Sequence, residues 1–310
     1  MQIVLVDPSR AIQSAFTRLL EPRGHAVQAF SNPLAALARI RTDAAVDALI
    51  CSAELSPISG VELCWEVRLI AGDRRPIYIL VTSSNCEEKN VVEALDCGAD
   101  DFISKPPRPQ ELHAKLRVGD RLVTLQRELV RLATTDPLTG IYNRRAFFEE
   151  ATEVCRRQDG PLSTILFDID QFKEVNDLYG HAVGDEAIRA VAVGARLNHP
   201  LVGRLGGDEF GVLLPGQTLA SAVAAAETLR RSFAEVRLKT EGGGHASFTC
   251  SFGVSEWQPG DCIDDLIRRA DLALYRAKSE GRDRVGTPPP ASWLQQNAQQ
   301  AKSVARSEAR

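Results

Sequence analysis

The stretch "LVGRLGGDEFGVLLP", residues 201–215, decides the fold of the C-terminal half of the chain. Two apolar runs flank Gly206, Gly207, Asp208 and Glu209, which predicts two strands joined by a hairpin turn. The glycines are expected to supply the positive φ of a tight primed turn. Glycine does not explain two neighbouring carboxylates before a buried strand, because like charges side by side repel each other. We therefore expect a positive charge beside these two acids.

A third carboxylate is predicted at the same end of the sheet. Asp168 follows the apolar run 165–167 in "TILFDIDQF". Two strands ending side by side would bring Asp168 together with Asp208 and Glu209. Each acid taken alone could equally be a solvated strand end, but three together need a compensating charge. Mg²⁺ fits, because proteins hold it with one or two carboxylates plus the phosphates of a substrate.

Composition limits the kinds of protein that the chain can be. Its 310 residues, 44% hydrophobic and 25% charged, are typical of about two globular domains. The net charge of -4 and the scattered basic residues argue against nucleic acid as a partner. No window has the roughly 20 apolar residues of a membrane span, and "MQIVLVD" meets an aspartate too early for a signal peptide. We expect a cytoplasmic protein without a membrane span.

The seven cysteines show no C-x-x-C spacing. Most of them lie in apolar contexts, which favours buried free thiols over zinc ligands or disulfides. They are Cys51, Cys64, Cys86, Cys97, Cys155, Cys250 and Cys262.

Residues 1–107 alternate short β-branched runs with helical patterns, which predicts a doubly wound α/β domain with a five-stranded parallel sheet. The expected strands are 3–6, 26–30, 47–51, 77–82 and 101–104, and the expected helices are 10–21, 33–41, 60–71 and 87–97. The working site of such a domain lies at the carboxyl ends of its strands. Those ends carry Asp7, Ser52, Thr82 and Lys105.

Residues 108–133 are predicted to form a helical linker. Its apolar residues follow a 4-3-4-3 spacing that is typical of a coiled-coil seam. The seam residues are Val118, Leu122, Leu125, Leu129 and Leu132. The alternative is one amphipathic helix packed on its own domain. A dimeric coiled coil is favoured, because the seam continues past the point where a small domain could cover it.

Residues 134–286 predict an α+β domain with helices on one face of a mostly antiparallel sheet. The expected strands are 163–170, 202–206, 209–215 and 246–257, and the expected helices are 143–156, 183–197, 218–235 and 264–279. Residues 287–310 are expected to be a flexible tail, and no function is assigned to them.

Five blocks of the second domain resemble, in order and spacing, the GGDEF-domain diguanylate cyclases. They are "DPLTGIYNRR" (136–145), "DIDQFKEVNDLYGHAVGDEAI" (168–188), "RLGGDEF" (204–210), "SFGVS" (251–255) and "ADLALYRAKSEGRDRV" (270–285). The resemblance implies a fold related to nucleotidyl cyclases. It also implies that two GTP condense into cyclic di-GMP with release of two pyrophosphates. Each site would hold one GTP, so two catalytic domains would have to face each other in a homodimer.

The resemblance also implies which residues hold the metal ions. Asp168, the carbonyl of Ile169 and Asp208 match the family's metal ligands, and Glu209 matches a second-metal ligand or proton acceptor. Asp208 and Glu209 are thus the implied catalytic residues. Two Mg²⁺ or Mn²⁺ ions per active site would polarise the α-phosphate and lower the pKa of the attacking 3′-hydroxyl.

Further positions match substrate-binding residues of the family. Asn176 and Asp185 match the guanine readers, with His181 beside them. Phe172 and Lys173 open a helix whose N–H groups can cradle phosphates. Lys278 and Arg282 match the pair that binds the triphosphate, and their spacing of four predicts that they share one helical face. The remaining matches are Arg204, just before the turn, and Gly206 and Gly207 within the turn. A Lys/Arg pair taken alone usually lies on a solvated helix face, and a histidine taken alone is usually a packing residue. The spacing of Lys278, Arg282 and His181 relative to the other family blocks favours a role in substrate binding.

One departure from the family pattern concerns regulation. Many members carry an RxxD product-binding site that ends five residues before the turn. Here those positions read "LNHP", Leu197 to Pro200, without either charge. Pro200 also lacks a backbone N–H. We expect weak inhibition by the product.

The first domain resembles a response-regulator receiver with a defective site. Thr82, Lys105 and Asp7 match the switch threonine, the phosphate-contacting lysine and one acid of the metal pair. Ser52 occupies the position of the phosphoacceptor aspartate, and Pro8 occupies the position of the second acid of the metal pair. A shift of one residue would place Ala53 there, which is no better. Aspartyl-phosphate chemistry needs both missing carboxylates, so we expect an unphosphorylated domain used for dimerisation or regulation.

The leading hypothesis is an active, dimeric diguanylate cyclase. The alternative is a catalytically inactive protein that senses GTP or cyclic di-GMP. Degenerate sensors usually lose the turn acids, whereas Asp168, Asp208 and Glu209 are all present here. A response regulator with a DNA-binding output would need a helix-turn-helix or a basic face, and the sequence predicts neither.

Overall fold

The computed structural model describes residues 1–72, 74–85, 87–157, 159–240 and 243–288. The chain divides into two compact units between Arg131 and Leu132. The predicted tail lies outside the described residues from residue 289 onward. Within the described ranges, no helix is both long enough and apolar enough to cross a membrane.

The first unit contains the predicted five-stranded parallel sheet, with its strands in the order β2-β1-β3-β4-β5. The strands are β1 (Gln2–Val6), β2 (Ala26–Phe30), β3 (Ala48–Ser52), β4 (Tyr78–Ser83) and β5 (Asp101–Ser104). The helices between them are α1 (Arg10–Leu20), α2 (Pro33–Thr42), α3 (Gly60–Ala71) and α4 (Glu88–Asp96). Strands β3 and β4 are buried along their whole length, because helices cover both faces of a doubly wound sheet.

A fifth helix, α5 (Pro109–Thr134), covers the linker. It packs on the first unit through Leu112, Leu116, Gly119 and Val123, which are buried. At Gly119 a Cβ would lie 2.5 Å from the Tyr78 ring, so only glycine allows this close contact.

The seam of α5 is a different stripe from the one that packs on the first unit. Its five side chains are between 42% and 65% exposed. They are Val118, Leu122, Leu125, Leu129 and Leu132. The helix packs on its own domain, as the alternative expected, but it does so through residues other than the seam. The dimeric coiled coil stays a prediction for the exposed seam.

The second unit is built on a six-stranded sheet in the order β13-β12-β7-β9-β8-β6. The inner pairs are antiparallel, and the outer pairs β6–β8 and β12–β13 are parallel. Its strands are β6 (Tyr142–Asn143), β7 (Leu162–Ile169), β8 (Val202–Arg204), β9 (Glu209–Pro215), β12 (Cys250–Glu256) and β13 (Val285–Gly286), with a separate hairpin of β10 (Leu238–Lys239) and β11 (His245–Ala246). Its helices are α6 (Arg144–Arg156), α7 (Phe172–Tyr179), α8 (His181–Asn198), α9 (Leu219–Ala234) and α10 (Ile263–Ser279).

Helices cover both faces of this sheet, so the prediction of helices on one face was wrong. One face packs on α8 and α9, with stacked Phe167 and Phe252 rings whose centroids are 5.1 Å apart. The other face packs on α6 and α10, and a Cβ at Gly253 would lie 2.1 Å from the Ala270 carbonyl oxygen. All eight residues of β7 are buried in consequence. The continuous apolar run of β7 is the sequence signal for two covered faces.

The predicted strand 246–257 is interrupted in the structure. Ala246 belongs to the small hairpin, and β12 begins only at Cys250. Thr249 instead accepts a hydrogen bond at its carbonyl from the backbone N–H of Asp170, at 2.9 Å. The segment before β12 therefore contacts the end of β7.

The six described cysteines are free thiols, and Cys86 lies outside the described residues. Cys51, Cys64 and Cys250 are buried as expected, whereas Cys262 is exposed. The hydrogen bond with Cys64 and burial together raise the pKa of Cys51 well above its usual range. The prediction of burial therefore fails at Cys262, which lies at the N-terminus of α10 rather than in a core position.

Candidate active site

The turn between β8 and β9 is a four-residue loop rather than a two-residue primed turn. The Leu205 N–H donates to the Glu209 carbonyl at 2.8 Å and closes the loop. Neither Gly206 nor Gly207 has a φ in the left-handed region, so the prediction of a positive φ was wrong. A four-residue loop spreads the change of chain direction over more residues, so it does not require a glycine with positive φ. A Cβ on Gly207 would meet no atom within 4 Å, so the loop is open beside Asp208.

Arg204 holds this loop in place. Its Nε and Nη2 donate to the Gly207 carbonyl at 2.9 and 2.7 Å. Its Nη1 donates to both carboxylate oxygens of Asp136 at 3.1 Å. Burial acts to raise the pKa of Asp136, but hydrogen bonds from Thr139 and Arg204 outweigh it and lower that pKa. The Arg204 charge is therefore already paired with Asp136, a residue that the sequence analysis had not assigned to the site.

Asp168 lies opposite Glu209 in the register of β7 and β9. Asp168 is buried, Asp208 is half-buried and Glu209 is exposed. Burial raises the pKa of Asp168 to about 6, and the charges of Asp208 and Glu209 contribute in the same direction. The three carboxylates thus lie close enough to influence one another, at the end of the sheet where the sequence predicted them.

An ammonium group lies beside these acids. Lys278 Nζ of α10 is 2.8 Å from Asp168 Oδ2, and this contact acts to lower the Asp168 pKa. Arg282 does not share a helical face with Lys278, because α10 ends at Ser279. Gly281 and Arg282 both have positive φ, at 119° and 59°. The expectation of one helical face was wrong, since Gly281 acts as the helix-ending glycine that the spacing argument overlooked.

Asp170 is a buried carboxylate that the sequence analysis missed. It accepts hydrogen bonds from Thr249 Oγ1 at 2.7 Å and Ser251 Oγ at 2.6 Å. It also accepts one from the backbone N–H of Asp283 at 3.1 Å. Asp170 therefore ties the end of β7 to the loop that carries Arg282. The repeated aspartate in "DID" was the available signal.

The N-terminus of α7 lies directly after β7. Gln171 precedes it with a φ of 53°, and its side-chain amide donates to Glu174 Oε1 at 2.8 Å. Phe172 packs against the core of the unit, whereas Lys173 is exposed. Lys173 and Arg282 have no ion-pair partner among the residues that the structure describes.

Asn176 and Asp185 meet at the junction of α7 and α8. A Cβ on Gly184 would lie 2.0 Å from Asn176 Oδ1, so glycine is needed for this packing. Asp185 is the next residue, and its Oδ2 is 3.9 Å from Arg189 Nη2. His181 is exposed at the start of α8. The junction therefore places the Asn176 amide against Gly184, next to the Asp185 carboxylate.

The donor set fits a divalent cation that is completed by a ligand. No cluster of three or more His, Cys, Asp or Glu side chains in the described ranges is arranged to hold a metal ion unaided. The strand ends nevertheless supply Asp168, the Ile169 carbonyl and Asp208, which are the hard oxygen donors that Mg²⁺ prefers. Burial is the main cause of the raised pKa of Asp168, and the charge of Asp208 adds to it, so a bound cation would favour the charged carboxylate.

The defective receiver site of the first unit, made of Asp7, Ser52, Thr82 and Lys105 and called the remnant site below, also differs from expectation. Lys105 Nζ lies 2.7 Å from Asp7 Oδ2 and 2.6 Å from Ser52 Oγ. Thr82 Oγ1 instead donates to the Cys51 carbonyl at 3.3 Å, so Thr82 does not join this cluster. The neighbouring Ser83 faces the cluster in its place.

Comparison with known proteins identifies both units. Residues 3–117 match the family model "Response regulator receiver domain", and residues 133–284 match "Diguanylate cyclase, GGDEF domain". The response regulator PleD of Caulobacter vibrioides is 33% identical over 264 residues, which are 80% of this chain and 58% of PleD. The diguanylate cyclase DgcM of Escherichia coli is 35% identical over 241 residues, 71% of this chain and 56% of DgcM. The chain thus spans less than two thirds of the length of these relatives.

A solved structure gives the same result for the second unit. The coiled coil and GGDEF domain of DgcB from Caulobacter crescentus, in complex with c-di-GMP, is 32% identical to this chain with a TM-score of 0.54. The match covers 57% of this chain and 97% of that one. The chain therefore belongs to the GGDEF-domain family and carries a response regulator receiver domain ahead of its GGDEF domain.

Proposed function

We propose that this chain is a diguanylate cyclase that condenses two GTP into cyclic di-GMP and releases pyrophosphate. One observation carries the proposal: Asp168, with its pKa raised to about 6, lies opposite Glu209 and beside the open loop of Asp208. The similarity of the chain to diguanylate cyclases such as DgcM supports it. GTP is a cytoplasmic nucleotide, so we place the reaction in the cytoplasm.

The strand-end carboxylates are proposed to bind two Mg²⁺ or Mn²⁺ ions. Asp168, the Ile169 carbonyl and Asp208 would hold one ion, and Glu209 would hold the second or accept a proton. Bound ions would polarise the α-phosphate and lower the pKa of the attacking 3′-hydroxyl. Before metal arrives, Lys278 keeps the Asp168 carboxylate paired within the site.

The α7–α8 junction is proposed to bind guanine. Asn176 and Asp185 offer an acceptor amide and a carboxylate to the polar edge of the base, with His181 at the rim. Adenine would leave the Asp185 carboxylate without a donor, which disfavours it. Because Gly184 lets Asn176 approach the second helix, the two readers act as one surface.

The phosphates are proposed to lie between the N-terminus of α7 and the loop after α10. Backbone N–H groups at Phe172 and Lys173 can donate to phosphate oxygens. The Lys173 and Arg282 side chains are available to bind the triphosphate. Lys278, which is paired with Asp168, would also contact the triphosphate. Gly206 and Gly207 leave room for it. We assign Arg204 to the support of the loop rather than to the substrate, since Asp136 already pairs with it.

The full reaction requires a homodimer, because the 3′-hydroxyl of one nucleotide must meet the α-phosphate of another. The exposed seam of α5 supports this proposal. The first unit is proposed to serve dimerisation or regulation without phosphorylation, since Ser52 replaces the phosphoacceptor aspartate.

Incubation of the purified chain with GTP and Mg²⁺, followed by chromatography of the products, tests the proposal. We expect cyclic di-GMP and pyrophosphate, with a loss of about 100-fold or more in Asp208→Asn. Glu235→Gln, an exposed change after α9, is the matched control and should keep full activity. ATP should not substitute for GTP. Binding of GTP without turnover would instead establish the inactive sensor.

A further inference from the structure

Glu54 fills the remnant site of the first unit with its own carboxylate. Ser52 Oγ donates to its Oε2 at 2.9 Å, and Lys105 Nζ lies 3.2 Å from the same oxygen. The Ser84 N–H donates to Oε1 at 3.1 Å, and Ser83 Oγ donates to the same atom. Four donors from three separate segments therefore converge on one carboxylate.

The donors are held by contacts that do not involve Glu54. Lys105 is only 9% exposed and is paired with Asp7 at 2.7 Å. Ser52 is fully buried at the end of β3 and accepts from Lys105 at 2.6 Å. Ser83 is buried at the end of β4, where the Asn85 N–H donates to its Oγ at 3.0 Å. The donor set, which we call the anion cradle, is thus part of the sheet edge.

The chemistry of the anion cradle suits a phosphate-like anion. It combines one buried ammonium, two hydroxyl groups and one backbone N–H, all of which donate. Charge-assisted hydrogen bonds of this kind are stronger than neutral ones. Glu54 differs from the donors, because it lies on the loop after β3 with 49% of its side chain exposed. Glu54 therefore occupies the site as a ligand would, although it is covalently part of the loop after β3.

We propose that the anion cradle is a binding site for inorganic phosphate or a similar tetrahedral oxyanion, and that Glu54 occupies it permanently. The chain's own carboxylate thus holds Ser83, Ser84 and Lys105 in an anion-bound arrangement without a phosphoryl donor. No covalent step is involved, since Ser52 serves only as a hydrogen-bond donor. The first unit consequently stays in the anion-bound arrangement and does not switch by phosphorylation.

Thermal unfolding of the full chain in a series of inorganic phosphate concentrations tests this proposal. Glu54→Ala empties the anion cradle, so the Tm of this variant should rise progressively with phosphate, as expected for a ligand that binds only the folded state. Sodium chloride at matched ionic strength should not reproduce the rise. The original chain and Glu66→Ala, a half-buried control on α3, keep the cradle filled. Phosphate that binds elsewhere, including the proposed triphosphate site, shifts the Tm of all three proteins alike, so the expected result is an additional rise in Glu54→Ala alone. An equal rise in all three proteins would overturn the proposal.

Two further measurements keep the test decisive. The double variant Glu54→Ala with Lys105→Met should lose the phosphate response, because the cradle then lacks its ammonium. In Glu54→Ser, a second way to open the site, the NMR amide signal of Ser84 should shift with phosphate, while it stays constant in the original chain. An unchanged Ser84 signal in this folded variant, or an equal shift in the original chain, would refute occupation by Glu54.

Discussion

Lys278 Nζ lies 2.8 Å from Asp168 Oδ2, so an ammonium from α10 pairs with the carboxylate that ends β7. The pKa of Asp168 is nevertheless raised to about 6, because burial and the charges of Asp208 and Glu209 outweigh the contribution of Lys278. The acids are therefore only partly compensated within the chain. A divalent cation would complete the compensation, and Lys278 would then be released toward a phosphate group.

Lys278→Met tests this double role of Lys278. A charge-assisted hydrogen bond to phosphate is worth about 1.5 to 3 kcal/mol, so kcat/KM for GTP should fall at least about tenfold. Stability should change by less than about 1 kcal/mol, because the side chain is 34% exposed and solvent screens the pair. Steady-state kinetics and denaturant unfolding measure both quantities. Lys239→Met, an exposed change on β10, is the control, and an active Lys278→Met enzyme would contradict the assignment.

Asp170→Asn tests whether Asp170 positions the loop of Arg282. The variant keeps the size of the side chain but loses the charge that three donors share, at a cost of about 1.5 to 3 kcal/mol in stability. Because Arg282 is displaced rather than removed, KM for GTP should rise more than kcat falls. Ser251→Ala removes one donor alone and serves as the control for a purely structural effect. Equal loss of stability in both variants with unchanged KM would exclude the positioning role.

The sequence was sufficient for features that depend on neighbouring residues. Alternating apolar runs predicted the parallel sheet of the first unit, and apolar runs ending in acids placed Asp168 near Glu209. What it could not reveal were contacts between distant parts of the chain. Arg204 meets Asp136 across 68 residues, and Lys105 meets Glu54 across 51. Local pattern carries no information about which distant donor reaches an acid.

Three predictions for the second unit were wrong, each for its own physical reason. The helices on both faces of β7 were missed because covered faces are a property of packing, although the unbroken apolar run was a signal. The turn glycines were assigned a positive φ because a short hairpin requires it, whereas a four-residue loop does not. Lys278 and Arg282 were placed on one helical face because their spacing fits, yet Gly281 lies between them and the helix ends before it.

Leu125→Asp and Leu129→Asp test the dimer seam of α5. Both side chains are more than half exposed, so folding of the single chain should change by only about 0.5 kcal/mol or less. Burying a charge in a dimer seam costs several kcal/mol, so light scattering should show a loss of dimer and the GTP assay a parallel loss of turnover. Leu116→Ala on the buried stripe should instead destabilise the fold by about 2 to 5 kcal/mol. An active monomer would refute the dimer requirement.

Weak product inhibition is expected from residues 197–200, at the C-terminal end of α8. Leu197 is 78% exposed, and Pro200 is exposed without a backbone N–H to offer. The family's site would place an arginine and an aspartate here, each worth about 1.5 to 3 kcal/mol in charge-assisted hydrogen bonds to the product. Added cyclic di-GMP at micromolar levels should leave the initial rate nearly unchanged. Leu197→Arg combined with Pro200→Asp restores both charges and should increase inhibition, and strong inhibition of the original chain would point to another surface.

The anion cradle makes a prediction about acid stability. Burial acts to raise the pKa of Glu54, but hydrogen bonds from Ser83, Ser52, the Ser84 N–H and Lys105 outweigh it and lower the pKa from 4.5 to about 2. A carboxylate with a depressed pKa stabilises the fold fully above its unfolded value and loses that contribution as the pH falls through its folded value. The stabilisation from Glu54 should therefore be complete above about pH 4.5 and disappear toward pH 2.

Thermal unfolding of the original chain and of Glu54→Ala over this pH range measures the effect. The Tm difference between the two should be constant near neutral pH and shrink progressively below about pH 4.5. Asp7 and Lys105 also face the cradle, but they are present in both proteins, so the difference isolates Glu54. Glu66→Ala should show no shrinking difference. A carbon-13 NMR titration that gives the Glu54 carboxyl a midpoint at or above 4.5 would contradict the hydrogen-bonded cradle, because the four donors are expected to outweigh the effect of burial.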